Sequence, residues 1–144
     1  MRIHLATDHA GFKLKERIKE VLMQQNRSVV DHGAFSLDNK DDYPDFISRA
    51  AEAVSKNPED RAIILGGSGE GEAMVANRFK NVRATVYYGG SDKIITLSRE
   101  HNNANVLSLG ARFMSEREAL HAVKTWLATG FSGDKRHLKR INKF

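Results

Sequence analysis

The sequence has no cysteine among its 144 residues, and this absence removes several classes of chemistry. Disulfides, thiolate metal sites and every mechanism with a cysteine nucleophile or base are excluded. There is also no apolar stretch long enough to span a membrane and no recognisable signal peptide. We therefore expect a soluble, cytoplasmic protein that has no membrane partner.

Aromatic residues and prolines are also scarce, with one Trp, three Tyr and two Pro. The net charge of +5 would suit a polyanion, but so few aromatic rings leave little for stacking on nucleic-acid bases. Much of the excess positive charge lies in the last ten residues. We expect small phosphorylated ligands and no nucleic-acid partner. The length and the absence of low-complexity runs predict one domain over residues 1–144.

Short apolar runs alternate with amphipathic segments along the chain. Because alternating strands and helices imply right-handed crossovers, we predict an α/β fold, a three-layer α/β/α sandwich with a five-stranded, parallel, Rossmann-like sheet. The predicted strands are 2–6, 28–34, 62–65, 82–88 and 106–110. The predicted helices are 12–25, 43–56, one entered at Glu72, 91–100, 116–129 and a basic C-terminal helix at about 133–142.

The most informative stretch joins the third strand to the helix after it, where residues 66–72 read GGSGEGE. Glycines allow positive φ and close backbone approach, and N–H groups at a helix start can cradle an anion. Ser68, Glu70 and Glu72 would add a hydroxyl and two carboxylates. The segment matches neither the Walker nor the dinucleotide-binding pattern. A turn that only packs the helix against the sheet is the alternative interpretation.

Polar residues also follow the first strand, where Asp8 and His9 stand before a helix. In open α/β sheets, ligands bind at the carboxyl ends of the strands, beside the point where strand order reverses. We therefore expect both residues to lie near 66–72. The alternatives are a helix cap for Asp8 and a surface loop for His9. His4, within the strand, is predicted to be a structural residue with a satisfied hydrogen bond.

A carboxylate beside backbone N–H groups suits proton abstraction next to a carbonyl, because the amides stabilise the enediolate oxygen. The residues alone leave the base open between Glu70 and Glu72. Glu72 would enter the helix, whose dipole favours the ionised carboxylate, and a purely helix-stabilising acid is the alternative. The six histidines have no metal-ligand spacing, so no metal or other cofactor is expected.

The C-terminal segment places Arg136 and Arg140 one helical turn apart, on the same face. Two guanidinium groups at that spacing suit a phosphate. A solvated basic face is the alternative interpretation.

Taken together, several blocks in the same order resemble the ribose-5-phosphate isomerase B family, which includes allose-6-phosphate and galactose-6-phosphate isomerases. The resemblance runs from residue 3 to about residue 141. It implies a metal-free aldose–ketose isomerase that works through a cis-enediolate, and a homodimer with active sites shared across the interface. The blocks are TDHAGF (7–12), DYPD (42–45), GGSGEGE (66–72), ANR (76–78), VRA (82–84), REHN (99–102) and Arg136-His137.

The resemblance also implies roles for individual residues. Ser68 would help move a proton between the two substrate oxygens, and His101 would open the sugar ring. His101 and Asn102 would come from the partner subunit. The implied substrate-binding residues are Asp8, His9, Tyr43, Gly67, Gly69, Gly71 and Asn102, of which His9 would contact the phosphate. The implied phosphate ligands are Arg112, Arg136, His137 and Arg140.

One position departs from the family pattern, because many members have a cysteine base where this chain has Gly66. A subset that resembles this chain uses a glutamate at the start of the next helix, which corresponds to Glu72. The resemblance thus favours Glu72 over Glu70 as the base for ribose 5-phosphate. A six-carbon sugar phosphate and a non-catalytic phosphate-binding module stay open as alternatives, as do a dimer or a tetramer and the pathway served.

Overall fold

The computed structural model describes every residue from Met1 to Phe144, and its centre is a five-stranded sheet. All strand pairs are parallel, in the order β2-β1-β3-β5-β4. The fold class predicted from the sequence is confirmed. The strands are β1 (Ile3–Thr7), β2 (Val29–Asp31), β3 (Arg61–Gly66), β4 (Ala84–Tyr87) and β5 (Val106–Gly110).

Six helices complete the layers: α1 (Phe12–Gln24), α2 (Tyr43–Lys56), α3 (Glu70–Ala76), α4 (Asp92–Glu100), α5 (Glu116–Ala128) and α6 (Lys135–Ile141). The central strand β3 shows how the layers form, since successive side chains point to opposite faces. Ile63 and Leu65 pack in a core with α1, α4 and α5, and Ile64 packs in a second core with α2 and α3. A strand covered on both faces reads as an apolar run, as β3 does from Ala62 to Leu65.

Some element boundaries differ from those predicted. β2 is shorter than 28–34, although the backbone N–H groups of His32 and Ala34 still donate to β1. β4 starts after 82–83 because the Arg83 N–H donates to the side chain of Asn105. α6 is shorter than 133–142, since Asp134 is its extended N-cap residue.

The prediction for His4 is confirmed, because its buried ring is hydrogen-bonded at both nitrogens. Its Nδ1 lies 2.9 Å from His32 Nε2, and its Nε2 lies 3.4 Å from Asp60 Oδ2. This polar chain joins the starts of β1 and β3 to the end of β2. No helix has the length and hydropathy that a bilayer crossing requires.

The strand order reverses between β1 and β3, because β2 lies outside β1 while β5 and β4 lie beyond β3. The loops after β1 and β3 therefore diverge at their carboxyl ends and leave a crevice. The residues after Thr7 and after Gly66 are the first to line it. The fold thus brings the two polar segments singled out in the sequence to one place.

Candidate active site

A cavity of about 460 Å³ opens at this crevice. Its wall contains eight of the residues predicted for the site, which come from the ends of β1, β3 and β5 and the starts of α2 and α3. We call them the carboxyl-edge cluster: Asp8, His9, Tyr43, Gly67, Ser68, Gly71, Glu72 and Arg112. Gly69 lies beside them but is buried beneath the loop.

The glycine-rich loop turns sharply into α3 at Gly69, which has a φ of 82°. From below, the buried hydroxyl of Ser108 in β5 donates to the Gly69 carbonyl at 2.6 Å and fixes the turn. The N–H groups of Gly67, Ser68, Gly69 and Gly71 donate to no protein acceptor, whereas the Glu70 N–H donates to Ser68 Oγ. Unpartnered N–H groups in such a turn form a cradle for a negatively charged oxygen.

Glu72 is one of two buried carboxylates of the site and the more deeply buried one, with 4% of its surface exposed. A Cβ added at Gly66 would overlap the Glu72 carboxyl group, so that group occupies the space that a side chain at the end of β3 would fill. Glu70, in contrast, is exposed and lies outside the cavity wall. The geometry therefore separates the two carboxylates that sequence reasoning left open.

The backbone N–H at the start of α3 favours ionised Glu72, in line with the expectation from the helix dipole, but it does not decide the net shift of the Glu72 pKa. Burial raises the pKa of the Glu72 carboxyl, and the negative charge of Asp8 acts in the same direction. A hydrogen bond from its own backbone N–H opposes them. Loss of hydration outweighs the favourable N–H groups of a short helix start. A carboxylate with a raised pKa is a stronger base.

The remaining residues of this cluster stand around the loop. Asp8 is buried and accepts from the Ala10 N–H at 2.9 Å, while Gly11 is the N-cap residue of α1, so Asp8 does not cap that helix. A Cβ at Gly71 would lie 2.7 Å from the Tyr43 hydroxyl, which places that hydroxyl against the loop. Arg112 brings a positive charge to the same wall.

Three side chains at one end of the cavity lie close enough to share a cation. The ligand atoms of Asp8, His9 and Asp41 are all within 4.8 Å of one another. His9 Nδ1 is hydrogen-bonded to Asp41 Oδ1 at 2.7 Å. Metal-ligand spacing in the sequence does not reveal this group, because its members come from two separate loops.

The other predicted site residues form a second group, which we call the amino-edge cluster: His101, Asn102, Arg136, His137 and Arg140. A helix that joins parallel strands runs antiparallel to them, so the end of α4 lies where the strands begin. His101 and Asn102 follow that end. α6 lies beside them, because the rings of His101 and His137 stack with centroids 4.1 Å apart. The two clusters therefore occupy opposite edges of the sheet.

The amino-edge cluster is strongly positive. Arg136 and Arg140 line a concavity of about 430 Å³ together with two lysines and no acidic residue. Burial lowers the pKa of His137, and the charges of His101, Arg136 and Arg140 act in the same direction against Asp134. An anion would relieve this accumulation of positive charge.

Sequence reasoning did not identify three residues of the carboxyl-edge site. Phe113 lines the cavity, Asp41 contacts His9, and Ser108 anchors the glycine-rich loop. Ser108 alone had a readable signal, a hydroxyl within the otherwise apolar strand VLSLG. The positions of Phe113 and Asp41 depend on how the loops pack, so no local sequence pattern marks them as site residues.

Comparison with known proteins shows which family the chain belongs to. A profile described as Ribose/Galactose Isomerase matches residues 3–144. The chain belongs to this family. Its relatives include ribose-5-phosphate isomerase B of Mycolicibacterium paratuberculosis, 41% identical over 99% of this chain and 88% of that protein. The probable ribose-5-phosphate isomerase B of Mycoplasma genitalium is 42% identical over 98% of this chain and 91% of that protein.

Solved structures of the Ribose/Galactose Isomerase family agree with the fold. Ribose-5-phosphate isomerase B from Mycoplasma genitalium, solved with bound ribulose-5-phosphate, has a TM-score of 0.94 at 41% identity and covers 99% of this chain and 92% of that one. The enzyme from Clostridium thermocellum has a TM-score of 0.93 at 38% identity, over 99% and 94% of the two chains. The resemblance inferred from the sequence blocks is confirmed at the level of the family, and with it the assignment as an isomerase.

Proposed function

We propose that this isomerase interconverts ribose 5-phosphate and ribulose 5-phosphate through a cis-enediolate, with Glu72 as the base. The observation that carries the proposal is the Glu72 carboxyl group, buried in the cavity wall at the space above Gly66 and next to unpartnered N–H groups. A base and an oxyanion cradle at one point are the two parts that enolisation needs. The names of the relatives support a five-carbon substrate.

In this mechanism the Glu72 carboxylate removes the proton from C2 of the open-chain aldose. The C–H electron pair forms the C1–C2 double bond, and the carbonyl electrons move to O1, where the N–H groups of the loop stabilise the charge. The Ser68 hydroxyl transfers a proton between O2 and O1. Glu72 then returns its proton to C1, which leaves the ketose. A raised pKa suits a group that must both accept and release a proton near neutral pH.

The sheet geometry supports a site shared by two subunits. The carboxyl-edge and amino-edge clusters lie at opposite edges of one sheet, so a single chain cannot present both to one sugar phosphate. In a homodimer, His101 and Asn102 of one copy would meet the cavity of the other, where His101 would open the sugar ring and Asn102 would bind a substrate hydroxyl. Arg136, His137 and Arg140 would bind the phosphate, with Arg112 from the cavity side.

Turnover assays test the proposal. Ketose formation is measured from ribose 5-phosphate and, in parallel, from allose 6-phosphate, both with EDTA present. We expect turnover of ribose 5-phosphate and exchange of its C2 proton with solvent. Turnover of the six-carbon sugar alone would retain the mechanism and overturn the substrate. No turnover and no exchange with either would favour a phosphate-binding module, which cannot catalyse exchange.

A further inference from the structure

Asp41 makes an unexplained contact beside the cavity. It lies in residues 35–42, which form no helix or strand between β2 and α2. Its Oδ1 accepts from the backbone N–H of His9 at 3.0 Å and lies 2.7 Å from His9 Nδ1. The side chain is only 9% exposed, and its Oδ2 is buried without a hydrogen-bond partner. Burial of a carboxylate with one unpartnered oxygen costs free energy, which points to a role for the contact between Asp41 and His9.

The contact determines which nitrogen of His9 carries hydrogen. A carboxylate can only accept, so the short bond requires a proton on Nδ1. Nε2 has no protein partner, and the His9 ring lines the cavity. Neutral His9 therefore presents an acceptor to the cavity, and protonated His9 presents a donor. Without Asp41, the ring could rotate and exchange tautomers.

Asp41 does not itself line the cavity. We propose that Asp41 is a positioning residue for the isomerase reaction, which holds the His9 ring in the Nδ1–H form so that Nε2 faces the phosphate end of the substrate. The inference rests on the proposed function for the identity of that substrate. The effect of Asp41 passes entirely through His9.

Steady-state kinetics on a double-mutant cycle test this route. Asp41→Ala is expected to raise KM for ribose 5-phosphate roughly tenfold, the scale of one lost hydrogen bond to a charged group, with kcat changed much less. Asp41→Asn keeps an acceptor and is expected to recover most of the loss. Asp38→Asn is the matched control, because Asp38 is in the same loop and its side chain accepts only from the Lys40 N–H. It should match the unsubstituted enzyme.

In the His9→Ala background, Asp41→Ala is expected to add no more than a twofold effect. A full tenfold effect there would overturn the proposal, because Asp41 would then act without His9. An unchanged KM in the single Asp41→Ala variant would overturn it equally. If Asp41→Ala unfolds, the tautomer of His9 in the unsubstituted protein still tests the proposal.

Nitrogen-15 NMR of the histidine rings reads the tautomer directly, with His9 assigned by its loss in His9→Gln. We expect hydrogen on Nδ1 of His9 in the unsubstituted protein and a shift toward Nε2–H in Asp41→Ala. An Nε2–H form in the unsubstituted protein contradicts the proposal. This readout needs no turnover, so an inactive enzyme would overturn the proposed function while leaving the Asp41 inference testable.

Discussion

The carboxyl-edge cluster combines the backbone of the glycine-rich loop with two buried carboxylates, Asp8 and Glu72, whereas the amino-edge cluster is built mainly from exposed cations on a seven-residue helix and from the loop before β5. In the first, Gly69 is fixed by Ser108 and the Glu72 carboxyl is buried against Gly66. In the second, only His137 is buried among the five residues. Rigid, dehydrated groups suit bond-making, and exposed cations suit the capture of a phosphate. Under the proposed function, this difference places the proton transfer at the carboxyl edge and phosphate binding mainly at the amino edge.

The largest expected effect comes from Glu72→Gln, which keeps the size of the side chain and removes the base. We expect kcat for ribose 5-phosphate to fall by about 10³-fold or more, with KM nearly unchanged, in a coupled ketose assay. Glu70→Gln is the control, since Glu70 lies in the same loop but is exposed. Full activity of Glu72→Gln together with an inactive Glu70→Gln would assign the base to Glu70.

A moderate effect of the opposite kind is expected from Arg140→Ala at the amino edge. Loss of one guanidinium should raise KM roughly tenfold and leave kcat within about threefold, because the group binds charge that does not change in the reaction. Lys124→Ala, which removes one exposed positive charge from α5, is the control in the same assay. A large fall in kcat at constant KM would remove the proposed division between the two edges.

The smallest effect concerns stability and pH. Because burial raises the pKa of Glu72, the folded state binds more protons than the unfolded chain between the ordinary and the raised pKa. Its stability therefore falls as pH rises through that interval. Glu72→Gln removes this loss, so its Tm should exceed that of the unsubstituted protein by more at pH 7 than at pH 4. A difference that is constant or shrinks with pH would show that Glu72 is not held in a dehydrating environment.

Much of the fold was predictable because the sequence is locally consistent with it. The apolar run of β3 and the alternation of strands and helices predicted a parallel sheet, and the reversal between β1 and β3 followed from that topology. The predicted strand boundaries were less accurate where a side chain replaces a hydrogen bond between strands, as the Asn105 side chain does when it accepts from the Arg83 N–H. Local sequence patterns do not reveal hydrogen bonds between a backbone group and a side chain that is distant in the sequence.

The site was predictable where its residues stand in a strand-to-helix turn, as Asp8 and the 66–72 loop do. The choice between Glu70 and Glu72 required the resemblance at the sequence level and a burial difference at the structural level. The net direction of the Glu72 pKa shift depends on packing, which no local pattern contains. Asp41 was missed because its partner is 32 residues away, in another loop.

The measurement that tests the account most directly mixes two variants, Glu72→Gln and the double variant Arg136→Ala/Arg140→Ala, at a substrate concentration so low that each alone has little activity. If each site takes one edge from each copy, a mixed dimer has one intact site and one doubly altered site. Random exchange of equal amounts should then restore about a quarter of the unsubstituted activity.

Glu72→Gln mixed with Asp8→Asn is the matched control. Both changes lie at the carboxyl edge, so no mixed site is intact and no activity should return. Recovery to about a quarter in the first mixture and none in the second is the result we predict. If both mixtures keep only the mean activity of their parents after subunit exchange is verified, each site is built within one chain and the account is contradicted.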